Sequence, residues 1–412
     1  MPSRSRHFIL ALIFTCAVIN YIDRQALSVA APTITALFHM SNTDYSRVLF
    51  CFLLAYALFQ PLCGWLLDRI GTVTGFALAV IWWSAACAMH ALAQGPVSFG
   101  AFRFLLGAGE AALIPASIKA ITEWLPQNHR AAGIGIMNSG ISFGGMIATP
   151  IVAGLLLSTG WRSMFLVTGC LGFLWLIFWL LFIRGLTKEH AELTPTRSIR
   201  VDYWALLRRK EIVGLILSRI ISDPAWYFYM FWLPSYLTSQ RGFDMKALRD
   251  YGWIPFFTAG CGALFSGWLA TRLLSRGWTT DHTRKGVLLL AAALMPLGVM
   301  VTFVPNVWLA FALVSLVTLL IQIWATSLFA IPSDLFPPSQ VASIVGFATA
   351  TGSASAMLFQ LFVGALVDHF SYAPVFVIVA LMHPVALLCI SKLIPKIEPL
   401  EVEGFAPQLA SN

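Results

Sequence analysis

Long apolar runs, interrupted by short polar segments, dominate this chain. Twelve of them reach the ~20 residues that a helix needs to cross a ~30 Å hydrocarbon layer. They occupy 8–32, 46–66, 75–94, 99–122, 132–156, 163–184, 213–238, 250–272, 286–304, 307–331, 341–366 and 372–394. The runs are continuous rather than alternating, so they predict membrane-spanning helices and not the two-faced strands of a β-barrel. The first run outlasts the apolar core of a removable signal and lacks a small-residue cleavage site, so it reads as the first span. The longest polar gap, 185–211, is rich in Lys, Arg, Glu and Thr and divides the spans into six plus six. The expected organisation is a tail at 1–7, a six-helix bundle at 8–184, a linker at 185–211, a second six-helix bundle at 212–394 and a tail at 395–412. The linker ends in VDYWALLRRKEI, where Tyr203 and Trp204 beside a basic cluster predict a short helix lying on the membrane surface.

Composition supports this pattern. Hydrophobic residues make up 58% and charged residues 11%, with a mean hydropathy of +0.80. A soluble domain carries about 25% charged residues, so a soluble, disordered or collagen-like chain is excluded. The net charge of +8 could suggest nucleic acid. With the first residue inside, however, seventeen Lys and Arg fall in inner segments, five in outer ones and four within spans. That is the positive-inside bias. It predicts an all-α, multi-pass protein of a bacterial-type inner membrane, with both termini cytoplasmic and no nucleic-acid partner.

The seven cysteines (Cys16, Cys51, Cys63, Cys87, Cys170, Cys261 and Cys389) lie in apolar runs without a C-x-x-C spacing, and are expected to be buried and unreactive. His90, His369 and His383 are isolated, and no HExxH, GxSxG or Walker pattern occurs. Neither an enzyme nor a metal site is indicated.

An internal repeat links the halves. Gly64-Trp65-Leu66 recurs as Gly267-Trp268-Leu269 at an offset of 203, and the proline-bearing segments around Pro126 and Pro337 lie 211 apart. Two parallel copies are characteristic of secondary carriers, whose substrate site lies between the copies near the midplane.

Charges inside spans cost a few kcal/mol each and are candidates for function. Span one carries Asn20-Tyr21-Ile22-Asp23-Arg24-Gln25. Arg24 lies roughly 24 Å from the inner edge, too deep to reach water easily. Tyr21 and Arg24 share a helical face, while Asp23 points about 100° away, toward a neighbouring helix. In span four, Arg103 and Glu110 stand two turns apart on one face, with Gly107 and Gly109 allowing close packing. Glu110 falls near mid-layer, where a carboxyl group can take up and release a proton. Span seven carries Arg219, Asp223, Pro224 and Pro234, the prolines being placed to break the helix beside a cavity. Its Tyr227 and Tyr229 offer faces on which a sugar ring could stack. The Gly-rich run from Asn138 to Pro150 lacks phosphate-loop context and reads as close helix packing, with Asn138 a candidate substrate contact.

These residues resemble the major facilitator superfamily. Gly64-Trp-Leu-Leu-Asp68-Arg69-Ile-Gly71 resembles its loop motif between spans two and three, although Val73 and Thr74 replace the usual basic pair. Arg103 with Gly107 resembles the span-four motif, and Gly140 to Pro150 the span-five one. The runs at 110–116, 123–126, 223–226, 252–255, 333–336 and 363–368 resemble hexuronate transporters of the anion:cation symporter family, whereas Tyr21-Ile-Asp23-Arg24 is more similar to galactonate carriers. The resemblance implies a twelve-helix major facilitator fold in two six-helix bundles. It further implies that Arg24 binds a sugar-acid carboxylate, that Tyr21 and Tyr56 contact the sugar, and that Asp23 and Glu110 are the proton-coupling acids. Thr349 and Phe329 fall where galactonate carriers place an Asn and a Trp of the pocket. Asp68, Arg69, Arg103 and Asp223 are expected in gating or structural roles.

The expected function is proton-coupled import of a monocarboxylate sugar acid, a hexuronate such as galacturonate or glucuronate, by a monomer needing no cofactor but the proton. Hexonates, aldarates and aromatic carboxylates are the alternatives within transport. A drug exporter is disfavoured by Arg24. A membrane sensor would be expected to append a signalling domain, and the longest segment outside the spans is about 27 residues, too short for a domain.

Overall fold

Rods of helix, each close to the thickness of a bilayer, follow one another with turns of only a few residues. The computed structural model describes residues 3–125, 127–186, 208–336 and 338–398, with side chains apart from 3–6, 68, 127–132, 182–186 and 338–343. Most of the expected linker, including Tyr203 and Trp204, lies outside the described residues, as do 1–2 and 399–412 of the tails. The helices are α1 (Ser3–Leu37), α2 (Asn42–Ile70), α3 (Thr72–Met89), α4 (Pro96–Glu110), α5 (Leu113–Trp124), α6 (Gln127–Leu186) and α7 (Lys210–Arg241). They continue as α8 (Met245–Tyr251), α9 (Ile254–Ser275), α10 (Thr280–Leu294), α11 (Met300–Phe303), α12 (Val307–Leu335), α13 (Pro338–His369) and α14 (Tyr372–Leu393). Among the described residues there is no strand.

Ten stretches among the described residues are long and apolar enough to cross a membrane. One of them, Gly133–Leu181, has 49 residues, about 74 Å of helix and more than twice the hydrocarbon thickness. It turns back at Gly160, whose φ of 80° suits glycine and ends the first arm of α6. The helix α7 is a further 32-residue rod that carries charge at Arg219 and Asp223.

Proline explains where the rods break. The span-four run, expected as one helix, divides into α4 and α5 because Pro115 cannot bond to the carbonyl of Ala111 and its ring crowds that group. The break falls immediately after Glu110. The opposite holds in α7, where Pro224 and Pro234 were expected to break the helix and instead lie inside a continuous one.

The first bundle packs α1 against α6 and α2 against α4; the second packs α9 against α12 and α7 against α13 and α14. Gly140 and Gly144 let α6 approach α1, since a Cβ there would lie 2.6 Å from the Phe14 carbonyl and 2.8 Å from that of Val18. Large apolar side chains such as Leu264, Leu181 and Leu58 face outward, the reverse of a water-soluble surface. The cysteines follow the same geometry and correct the expectation of uniform burial. Cys16 and Cys87 are buried, but Cys170 is exposed on the bundle surface. The repeat is visible as well: Arg69 stacks on Trp65 at 4.1 Å and Arg272 on Trp268 at 5.4 Å, the same one-turn pair in each half.

The two bundles touch through α1 and α7, α2 and α13, and α6 with α8 and α9. These contacts gather toward the end remote from the start of α1. Asp368, near the end of α13, accepts hydrogen bonds from the backbone N–H and side chain of both Asn42 and Thr43, at 2.5 to 2.9 Å. It thereby caps the first turn of α2 from the other bundle. Tyr45 donates to the Phe231 carbonyl at 2.9 Å and meets the Trp232 ring edge-on. None of these bonds lies at the opposite end, where α1 and α7 begin.

Candidate functional site

The polar run of α1 lies between the bundles, and its spacing determines what each side chain meets. Arg24 is only 4% exposed. Its Nε donates to Glu110 Oε2 at 2.9 Å and its Nη2 to Asn20 Oδ1 at 3.4 Å, while Nη1 is not among the sealed, unpartnered atoms of the described residues. Three rings surround the guanidinium, with centroids at 4.8 Å (Tyr56), 4.9 Å (Tyr21) and 5.3 Å (Phe52). Phe52 and Tyr56 are one turn apart on α2 and stack at 6.0 Å. The result is a cation held between aromatic faces and paired with one carboxylate.

Asp23 points away, as its position predicts. Cys87 of α3 donates to its Oδ1 at 3.4 Å, and Oδ2 is sealed without a partner. Arg103 is fully buried and donates through Nη1 to the carbonyl of Arg24 at 3.0 Å. It therefore fixes the backbone that carries Arg24, and it shares its face of α4 with Glu110. The second oxygen of Glu110 is also sealed and unpartnered. The first bundle thus buries two guanidinium groups and two carboxyl groups.

Across the gap, Tyr227 lies within electrostatic reach of Arg24, Tyr21 and Tyr56 and bonds Ser353 at 3.4 Å. Tyr229 does not join it. Two residues along a helix turn a side chain by about 200°, and Tyr229 packs inside the second bundle against Phe228 and Phe376. Its expected substrate contact is therefore corrected to a core position. Phe329 lies under Arg219, 3.7 Å from ring centroid to guanidinium, rather than beside Arg24. Asp223 pairs with Arg219 at 3.1 Å. Thr349 stands one turn from Ser353 on α13, with its hydroxyl sealed and unpartnered. Asn138 is exposed on α6, two turns toward the open end from Gly145, and a Cβ at Gly145 would meet Gln25 and Phe256. It faces the inter-bundle gap and touches none of the Arg24 group. Arg69 stacks on Trp65 at the bundle surface, and the side chain of Asp68 lies outside the described residues.

Two hollows lie away from this centre. One of about 350 Å³ is wholly apolar in the groove beside Phe8, Thr15 and Phe178, and one of about 640 Å³ lies at the closed end beside Pro150, Arg249 and Trp253. The charged centre belongs to the gap between the bundles.

Phe52, Asn20, Ser353 and Asp368 were missed as functional residues. Asn20 and Phe52 carried a signal, each standing one turn from a chosen residue, Arg24 and Tyr56 respectively. Asp368 stands 326 positions from Asn42, and no local pattern joins them.

The model of the Major Facilitator Superfamily matches residues 13–280 and 273–404. The chain is 30% identical over 414 residues to a hexuronate transporter of Escherichia coli (strain K12), covering 96% of each chain. It is 31% identical over 279 residues to a galacturonate transporter of Dickeya chrysanthemi, covering 64% of this chain and 81% of that one. Among solved structures, a bacterial homologue of the human lysosomal transporter Spinster, inward-facing and unoccupied, superposes with a TM-score of 0.77 at 19% identity over 96% of both chains. That last likeness concerns the fold alone.

Proposed function

Because the chain belongs to the major facilitator superfamily, we propose that it imports a sugar-acid anion together with a proton, a hexuronate such as galacturonate or glucuronate fitting best. The relatives named for hexuronate and galacturonate support the substrate class. The observation that carries the reading is Arg24: a guanidinium nearly withdrawn from solvent, flanked by Tyr21 and Tyr56 and paired with Glu110. A buried cation of this kind needs an anion, and the planar fork suits a carboxylate.

Glu110 holds that place while the site is empty. Breaking a buried ion pair one-sidedly costs about 3–5 kcal/mol, so the substrate carboxylate must arrive as Glu110 gives way. A proton on Glu110 cancels its charge and releases Arg24 to the substrate; loss of that proton restores the pair and expels the anion. Asp23 stands on the far side of α1 and acts as the second acid. Tyr227 and Ser353 complete the sugar pocket from the second bundle. On this reading the chain crosses a bacterial-type inner membrane twelve times, with both termini cytoplasmic because Lys and Arg are in excess in the segments on their side, and the open end then faces the cytoplasm. The carrier works as a monomer with no cofactor beyond the coupling proton.

Purified protein in liposomes tests this with a pH electrode and a panel of sugar acids. Galacturonate or glucuronate should alkalinise the outer medium and accumulate under an inward proton gradient. Hexonates are the second reading, favoured by the Tyr21-Ile22-Asp23-Arg24 run. No response to any sugar acid would overturn the assignment. Uptake driven by sodium without proton movement would overturn the coupling.

A further inference from the structure

We propose that Arg219 and Asp223 form a second carboxylate-handling station, which the anion occupies between the Arg24 site and the open end. The proposal rests on the sugar-acid reading and adds to it a defined waypoint in the other bundle.

Arg219, Asp223 and Tyr227 stand at one-turn intervals on a single face of α7. Tyr227 is within electrostatic reach of Arg24. Arg219 lies eight residues nearer the open end, about 12 Å along the helix. A straight path down this face therefore leads from the central guanidinium to a second one.

The state of that second guanidinium fits a ligand site. Nη1 donates to Asp223 Oδ2 at 3.1 Å, and that is its one hydrogen bond among the described residues. Nε and Nη2 have no partner and are not among the sealed atoms. The group lies 3.7 Å from the centroid of Phe329. That ring is 43% exposed, so the platform borders accessible space rather than a closed core. Stacking fixes the guanidinium plane and leaves its hydrogen-bonding edge for a planar anion.

Asp223 is placed to act as an exchangeable occupant. A Cβ on Gly352 would fall 2.1 Å from Asp223 Oδ2, so the carboxylate rests directly on the α13 backbone, beside Ser353 and about one turn from Thr349. A substrate carboxylate that takes the free edge of Arg219 competes with Asp223 for the same charge. Arg219 is as withdrawn as Arg24, at 6% against 4%, but the Asp223 side chain is 19% exposed where that of Glu110 is fully buried, so an incoming carboxylate can take over from Asp223 at the edge that faces water. The chemistry recognised is a monocarboxylate. A monocarboxylate has one group for a guanidinium to hold, so the two stations act in sequence.

The test uses phenylglyoxal, which modifies accessible guanidinium groups, on the full-length protein with peptide mass mapping of Arg219. Labelling should occur and be slowed by galacturonate. In Asp223→Asn, the half-protecting concentration should fall about fivefold, because the competing charge is gone. In Arg24→Gln, protection of Arg219 should persist. An Arg219 that is never labelled, or labelling unaffected by galacturonate in both the unmodified protein and Asp223→Asn, would overturn the station and leave the pair a structural one. Galacturonate uptake by the unmodified protein separates the two readings. Uptake without protection of Arg219 overturns the station alone, whereas failure of every sugar acid to be taken up overturns the assignment and the station with it.

Discussion

The two bundles handle charge differently. In the first, Arg24, Arg103, Asp23 and Glu110 are all withdrawn from solvent, and Glu110 and Arg103 of α4 grip the same short piece of α1, through the Arg24 side chain and the Arg24 carbonyl. In the second, Arg219 and Asp223 sit on the wall of the gap over an exposed phenyl ring. Burial of the guanidinium does not separate them, since Arg24 is 4% and Arg219 6% exposed, and losing one partner of a buried pair costs about 3–5 kcal/mol. The acids differ: Glu110 is sealed on another helix, whereas Asp223 shares α7 with Arg219 and its side chain is 19% exposed. The first pair switches when a proton or an anion compensates, and the second when an incoming carboxylate takes the place of Asp223.

The contrast breaks most severely if Arg24 is dispensable. Arg24→Lys keeps the charge but loses the fork, and substrate affinity in equilibrium binding should fall about 100-fold. Retained affinity would move the binding site elsewhere. Glu110→Gln comes next: accumulation under a proton gradient should vanish, while substrate exchange with no gradient stays within about threefold, since the neutral amide imitates the protonated acid. Unchanged accumulation in liposomes would remove Glu110 from coupling. A smaller effect is expected at the closed end. Asp368→Ala strips the cross-bundle cap from α2 and should raise amide hydrogen exchange over residues 41–46 about fivefold, the size of a lost helix cap. The smallest concerns Tyr229→Phe, whose transport should stay within about twofold because its ring is packed in the bundle core. Tyr227→Phe should cost more, and the reverse order would return Tyr229 to the pocket.

Helical angles made much of the site readable in advance. The 100° step between Asp23 and Arg24 foretold that one acid would face α3 while the cation faced the gap, and the seven-residue interval placed Arg103 and Glu110 together against α1. The same geometry argues against pairing Tyr227 with Tyr229, so that expectation failed through an aromatic pattern outweighing a face argument. The prolines failed for a different reason. A proline removes one backbone hydrogen bond and crowds the preceding turn, but whether the helix then ends is settled by its tertiary surroundings, and Pro115 lies at a break while Pro224 lies inside a continuous helix.

Hydrophobic lengths were sufficient for the membrane class; the recurrence of Gly-Trp-Leu led to the expected halves, and charge inside span one to Arg24 as a candidate. Each of those is a property of consecutive residues and of the solvent they must meet. Tertiary structure alone decided that Asp368 would cap a helix of the other bundle, that Phe329 would support Arg219 instead of Arg24, and that the bundles would part at one end while meeting at the other. Those outcomes depend on contacts between residues hundreds of positions apart, made when two nearly rigid bundles meet, and no periodicity within either bundle encodes how they meet.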